Sequence, residues 1–132
     1  MLNYDSKILL AFGEAVNGND KIFGWLLKNG YPELAALSKA IRGSEEAFTW
    51  LMKNKFQHLA ALDSAIDGSE KAYLWLKDNN QPFLIILADA CHLKPEAIAW
   101  LRKNDLEIFV RIALIIKKLR DNKTFDYHKL HF

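Results

Sequence analysis

The sequence predicts an all-α fold: a stack of about four two-helix repeats of 25 residues, α-solenoid-like (an α-α superhelix), closed by a longer C-terminal capping helix. Three observations carry this. Trp25, Trp50, Trp75 and Trp100 stand 25 residues apart. The same offset aligns Leu26, Leu51, Leu76 and Leu101, then Asn29, Asn54, Asn79 and Asn104, and places Gly18, Gly43 and Gly68 in one column. Residues 31–54 match residues 56–79 at 13 of 24 positions, a register that only internal repetition sustains. The units span residues 6–30, 31–55, 56–80 and 81–105, followed by a cap over 106–121 and a tail over 122–132.

Each unit reads as two short helices. In the first, Leu34, Leu37, Ala40 and Ile41 recur at three- and four-residue spacing, and Pro32 and Pro82 suit a first turn. Gly43 ends it, because a left-handed residue after a helix is where glycine pays no Cβ penalty. Ser44 and Ser69 are N-cap candidates for the second helix, and Glu45 and Glu70 set negative charge on its positive end. There Ala47, Phe48, Trp50 and Leu51 form an apolar face, and the asparagine column marks the end. In the fourth unit Leu93 replaces the turn glycine and Pro95 follows, so the turn is expected to differ. In the fifth, Lys118 and Leu119 replace glycine and serine, so the helix from about Leu106 is expected to run to about Arg120. Helices this short are marginal alone, so stability has to come from packing between units. Packed ~8–10 Å apart, they imply a slab about 40 Å long, with a core made of neighbour contacts.

Composition bounds the rest. The chain has 132 residues, 51% hydrophobic and 26% charged, with a formal charge of +2. That is a single-domain size and an ordinary globular balance, with a mean hydropathy of −0.09. Residues 1–110 carry 12 basic and 14 acidic groups, whereas residues 111–132 carry six and two, so the basic excess is C-terminal. Cys91 has no second cysteine to pair with, which suits a reducing compartment, and no apolar run approaches the ~20 residues of a membrane span. No export signal is visible. The expected location is the cytoplasm, with no membrane contact.

Candidate sites follow from the helical wheel. The tryptophans, each beside an invariant leucine, read as inter-repeat core together with Leu26, Leu51, Leu76 and Leu101, rather than as stacking platforms for bases. On the first helices a stripe at Ala35, Ser38, Lys39 and Arg42 reads as outward. Its later members are Asp63, Ser64 and Asp67, then Ile85, Ala88, Asp89 and His92, then Val110, Ala113, Leu114 and Lys117. It begins polar and ends apolar, so the last eight residues are the expected partner-binding surface. Their cover is either the aromatic tail, with Phe125, Tyr127, Leu130 and Phe132 folding back on Ile85, Val110 and Leu114, or a partner. The basic run Lys117, Lys118, Arg120 and Lys123 reads as a solvated helix end, with nucleic-acid binding as the alternative.

His128 and His131, or Cys91 beside His92, fall short of the three or four convergent ligands of a zinc site. No metal or cofactor is expected. No phosphate loop or nucleophile turn is present, and near-identical hairpins supply few converging groups, so no catalysis is expected. The function expected is a non-catalytic scaffold binding a protein or peptide. A nucleic-acid-associated protein and a homodimer closed through residues 82–92 and 106–120 are the alternatives.

Overall fold

The computed structural model describes the backbone of residues 1–131 and the side chains of residues 1–122. It is an all-helical repeat fold. The elements are α1 (Ser6–Val16), α2 (Asp20–Lys28), α3 (Pro32–Ile41), α4 (Glu45–Lys53), α5 (Gln57–Ile66), α6 (Glu70–Asp78), α7 (Pro82–Cys91), α8 (Pro95–Lys103) and α9 (Glu107–His131). Local chemistry sets these limits. Asn19, Ser44 and Ser69 cap α2, α4 and α6 by accepting from the backbone N–H of Ile22, Ala47 and Ala72. At the other end the Nδ2 of Asn29, Asn54, Asn79 and Asn104 donates to the carbonyl of Trp25, Trp50, Trp75 and Trp100, at 2.7 to 2.9 Å.

Two expectations about the ends change. Leu93 takes the left-handed conformation of the glycine column, φ +59° against +99° at Gly18 and +105° at Gly43, so the turn keeps its shape despite the Cβ. The last helix continues past Arg120 to His131. An unbroken helix has no turn by which residues 122–131 could fold back onto Val110 and Leu114 of that same helix. The aromatic side chains of the tail lie outside the described residues.

Short turns reverse the chain at each step, so the odd-numbered helices run one way and the even-numbered ones the other. Among the odd helices α1 packs on α3, α3 on α5, α5 on α7 and α7 on α9, and α9 packs back on α1. Five helices thus form a closed ring, each of α2, α4, α6 and α8 bridging two neighbours from outside. The open slab expected from the period does not form. Its two ends meet, and a single buried cluster unites Phe12, Leu37, Leu62, Leu87 and Ile112 from the five ring helices. The two ends meet beside Gly13, where a Cβ would lie in ordinary contact, 3.5 Å from Ile115 Cδ1 and 3.7 Å from Ile112 Cγ1.

The ring has two stoppered mouths. At one, the Met1 to Tyr4 turn packs over the core. The Tyr4 hydroxyl donates to Glu33 Oε2 at 2.5 Å, and its ring meets that of Tyr31 edge-on. At the other mouth Arg120 of α9 pairs with Asp67, the C-cap of α5, which is not its neighbour in the ring.

Candidate functional site: grooves on the outer face

The stripe read as outward is the seam of the ring. Ala35, Ser38, Ala88, Val110 and Ala113 are buried, and so is Asp63. The Ser38 hydroxyl donates to the Ala35 carbonyl at 2.7 Å, which satisfies it within its own helix. Polarity alone assigns these small residues to a solvent face, whereas their small size is what lets parallel helices approach. Arg42 and His92, further along the stripe, turn back onto the preceding ring helix. Arg42 Nη1 donates to the Val16 carbonyl at 3.0 Å, and His92 Nε2 lies 3.1 Å from that of Ala65, so both cover helix C-terminal carbonyls. Of the expected partner-binding set, Ile85 and Asp89 are half-buried. Leu114, His92 and Lys117 retain solvent access but form no continuous apolar surface. The homodimer expected through residues 82–92 and 106–120 loses its surface too, since α7 and α9 pack on each other.

Two of the four residues of the basic run are engaged. Lys117 Nζ pairs with Asp121 at 2.7 Å and Arg120 with Asp67, Lys118 is exposed, and the Lys123 side chain lies outside the described residues. Among the described residues no group of three or more His, Cys, Asp or Glu could hold a metal. His128 and His131 fall outside them. No helix is long and apolar enough to cross a membrane, again among the described residues. Cys91 is buried, and burial pushes its thiol up to about 12, partly offset by Arg120.

The tryptophans need the opposite correction. Leu26, Leu51, Leu76 and Leu101 are fully buried, but Trp25 and Trp75 remain 36% exposed and Trp100 40%. Only Trp50 is more covered, stacked on Phe56 at 5.9 Å between centroids. Adjacent residues on a helix point about 100° apart. The leucine turns into the seam between two ring helices, and the tryptophan beside it lies along the outside.

What it lines there repeats. A groove of about 470 Å³ runs between α2 and α4, floored by Ala36 and walled by Phe23, Leu27, Ala47 and Trp50. Twenty-five residues on, a groove of about 260 Å³ has Ala61, Phe48, Met52, Ala72 and Trp75 at the matching positions. A third of about 480 Å³ uses Ala11, Ile22 and Trp25. Alanine in the floor leaves the space, and the tryptophan edge keeps it apolar.

The next unit departs from this. Ile86 stands at the floor position, and Lys94 replaces the serine of the wall, bridging to Asp89 at 3.2 Å and lying over the Tyr73 ring. Burial, with the Asp89 carboxylate second, pushes the Tyr73 phenol above its ordinary range. Trp100 leans on Phe83 instead. The repeated grooves therefore belong to the first three units. Sequence reasoning missed them because it judged tryptophan by hydropathy. The usable signal was the alanine column Ala11, Ala36 and Ala61, one helical turn before the buried Ala15, Ala40 and Ala65. Comparison with family models, with curated proteins and with solved structures found no match.

Proposed function

We propose that this chain is a non-catalytic helical-repeat scaffold that binds protein or peptide through the row of tryptophan-walled grooves on its outer face. One observation carries the reading. Two grooves of the same build recur at the repeat offset, and a third at the preceding offset shares their alanine floor and tryptophan wall, each keeping a large aromatic side chain in contact with solvent. Half-exposed tryptophans beside apolar hollows are the usual anchors of protein interfaces. Their rims are mixed in sign, with Lys39 and Glu46 at one groove and Lys71 at the next, which suits a peptide better than a phosphate backbone. Two members of the C-terminal basic run, Lys117 and Arg120, are held in ion pairs, which lessens the charge it can offer to nucleic acid. One buried cysteine suits a reducing compartment, so the cytoplasm is the location we propose.

Selection of a displayed peptide library on the immobilised protein tests this, with the indole fluorescence of the folded chain as readout. Selected peptides should shift that fluorescence and lose binding to a Met52→Lys, Trp75→Ala variant. They should keep binding to Leu114→Lys, which changes an exposed side chain on α9. Equal binding to both variants would overturn the reading.

A further inference from the structure

We infer that the partner for this outer face is a second copy of the chain, docked with its outer helices antiparallel. The inference rests on the reading of that face as a protein-binding surface and adds who occupies it. Two observations support it.

The first is shape. Leu74, 58% exposed on α6, is the most exposed large apolar side chain among the described residues, and it lies immediately before Trp75, which walls the groove between α4 and α6. Projection and hollow therefore sit side by side on one helix. A two-fold axis across the outer helices sets α6 of each copy against α6 of the other, so that Leu74 enters an isologous contact on the same helix of its partner.

The second is charge. Because α2, α4, α6 and α8 run parallel, their starts form one edge of the face and their ends the opposite edge. The starting edge carries exposed Asp20, Glu45, Glu46, Glu70 and Glu96, against Lys21, Lys71 and Lys94. The ending edge carries exposed Lys28, Lys53, Lys55, Lys77, Arg102 and Lys103, against Asp78, Asp105 and Glu107, the last paired with Arg102. The face is thus acidic along one side and basic along the other, with the apolar row between.

A two-fold axis parallel to the helices would lay acidic edge on acidic edge. An axis across them, along the row, lays each acidic edge on the partner's basic edge and also sets the helix dipoles of the two copies antiparallel. Charge therefore selects the antiparallel arrangement.

The test is the molecular mass in solution by light scattering or sedimentation, followed across protein concentration and salt. The wild type should form a dimer that weakens as salt rises. Leu74→Lys, a substitution on an exposed helix position, should weaken the dimer more than ~30-fold with an unchanged circular dichroism spectrum.

Two further variants make the result diagnostic. One turns the basic edge acidic (Lys53→Glu, Lys77→Glu), and the other turns the acidic edge basic (Glu45→Lys, Glu70→Lys). Each should be monomeric alone, and the two should dimerise when mixed. A wild type that stays monomeric at every concentration overturns the inference. So does a dimer that survives Leu74→Lys but is broken by Leu114→Lys. If the chain is monomeric while selected peptides still bind the grooves, self-association falls and the surface reading stands. If peptides also fail to distinguish the groove variant, both fall.

Discussion

Gly13 offers the sharpest test of ring closure. It lies in the interior of α1, where glycine costs ~1 kcal/mol relative to alanine. A Cβ at this position would meet Ile115 Cδ1 at 3.5 Å and Ile112 Cγ1 at 3.7 Å, which are ordinary van der Waals separations. Gly13→Ala should therefore recover the propensity term without strain and stabilise the fold by ~0.5–1.5 kcal/mol. For a chain of this size that corresponds to a rise of ~2–6 °C in Tm. Gly13→Leu must instead push three further carbons between α1 and α9. Overpacking of that kind costs ~1–3 kcal/mol, which outweighs the gain in propensity.

Gly24, within α2, is the control, because a Cβ there meets nothing within 4 Å. Gly24→Ala and Gly24→Leu should both stabilise by ~0.5–1 kcal/mol. Thermal and urea unfolding followed by circular dichroism would measure all four. If Gly13→Leu and Gly24→Leu raise stability equally, α1 and α9 do not touch and the array is an open stack.

Three other perturbations separate the roles assigned to individual columns. Leu76→Ala, in a fully buried site, should cost ~3–5 kcal/mol, whereas Trp75→Ala, whose vacated space opens to water and carries no closed-cavity penalty, should cost ~1–3 kcal/mol; reversal of that order by urea denaturation would return the tryptophans to the core. Leu93→Gly should stabilise by about 1 kcal/mol in the same assay, since it relieves a side chain held at φ +59° while losing little burial, and a loss would mean that Leu93 is anchored by packing. Cys91 is neutral when folded, its thiol pushed up to about 12 from 9.0, so its contribution is complete below about pH 9 and is lost as pH rises towards 12. Iodoacetamide near neutral pH should leave it unmodified until denaturant is added, and Cys91→Ala should flatten the alkaline limb of stability against pH.

The helix limits were legible because their causes are local. A serine hydroxyl reaches an N–H three residues on, an asparagine amide reaches a carbonyl four residues back, and both lie within one window of sequence. Leu93 shows the limit of that logic. The residue type argued for a different turn, but Gly18, Gly43 and Gly68 establish a conformation that the surrounding hairpin imposes on the fourth unit as well. The faces were less legible because a wheel ranks side chains by polarity. Burial here is decided by how closely two helices approach, which Ser38 and Ala35 permit and Trp50 and Trp75 prevent. Ring closure left no periodic trace at all, since Gly13 meets Ile112 and Ile115 from the opposite end of the chain.

Closure also explains why one column carries such different residues. Gly13, Ser38, Asp63, Ala88 and Ala113 share a repeat position, and all five are buried. In an open stack the first and last members would face solvent and could have drifted toward charge or bulk. In the ring each faces a neighbouring helix, so size is constrained at every member while polarity is not: Ser38 satisfies itself within α3, whereas Ala88 and Ala113 have nothing to satisfy. The tryptophan column behaves in the reverse manner. Its side chains are held constant although the core does not require them, while the residues immediately before them change from Gly24 to Thr49, Leu74 and Ala99. A large apolar side chain left more than a third exposed in three of four units, beside positions free to vary, is what the proposed contact outside the fold would account for.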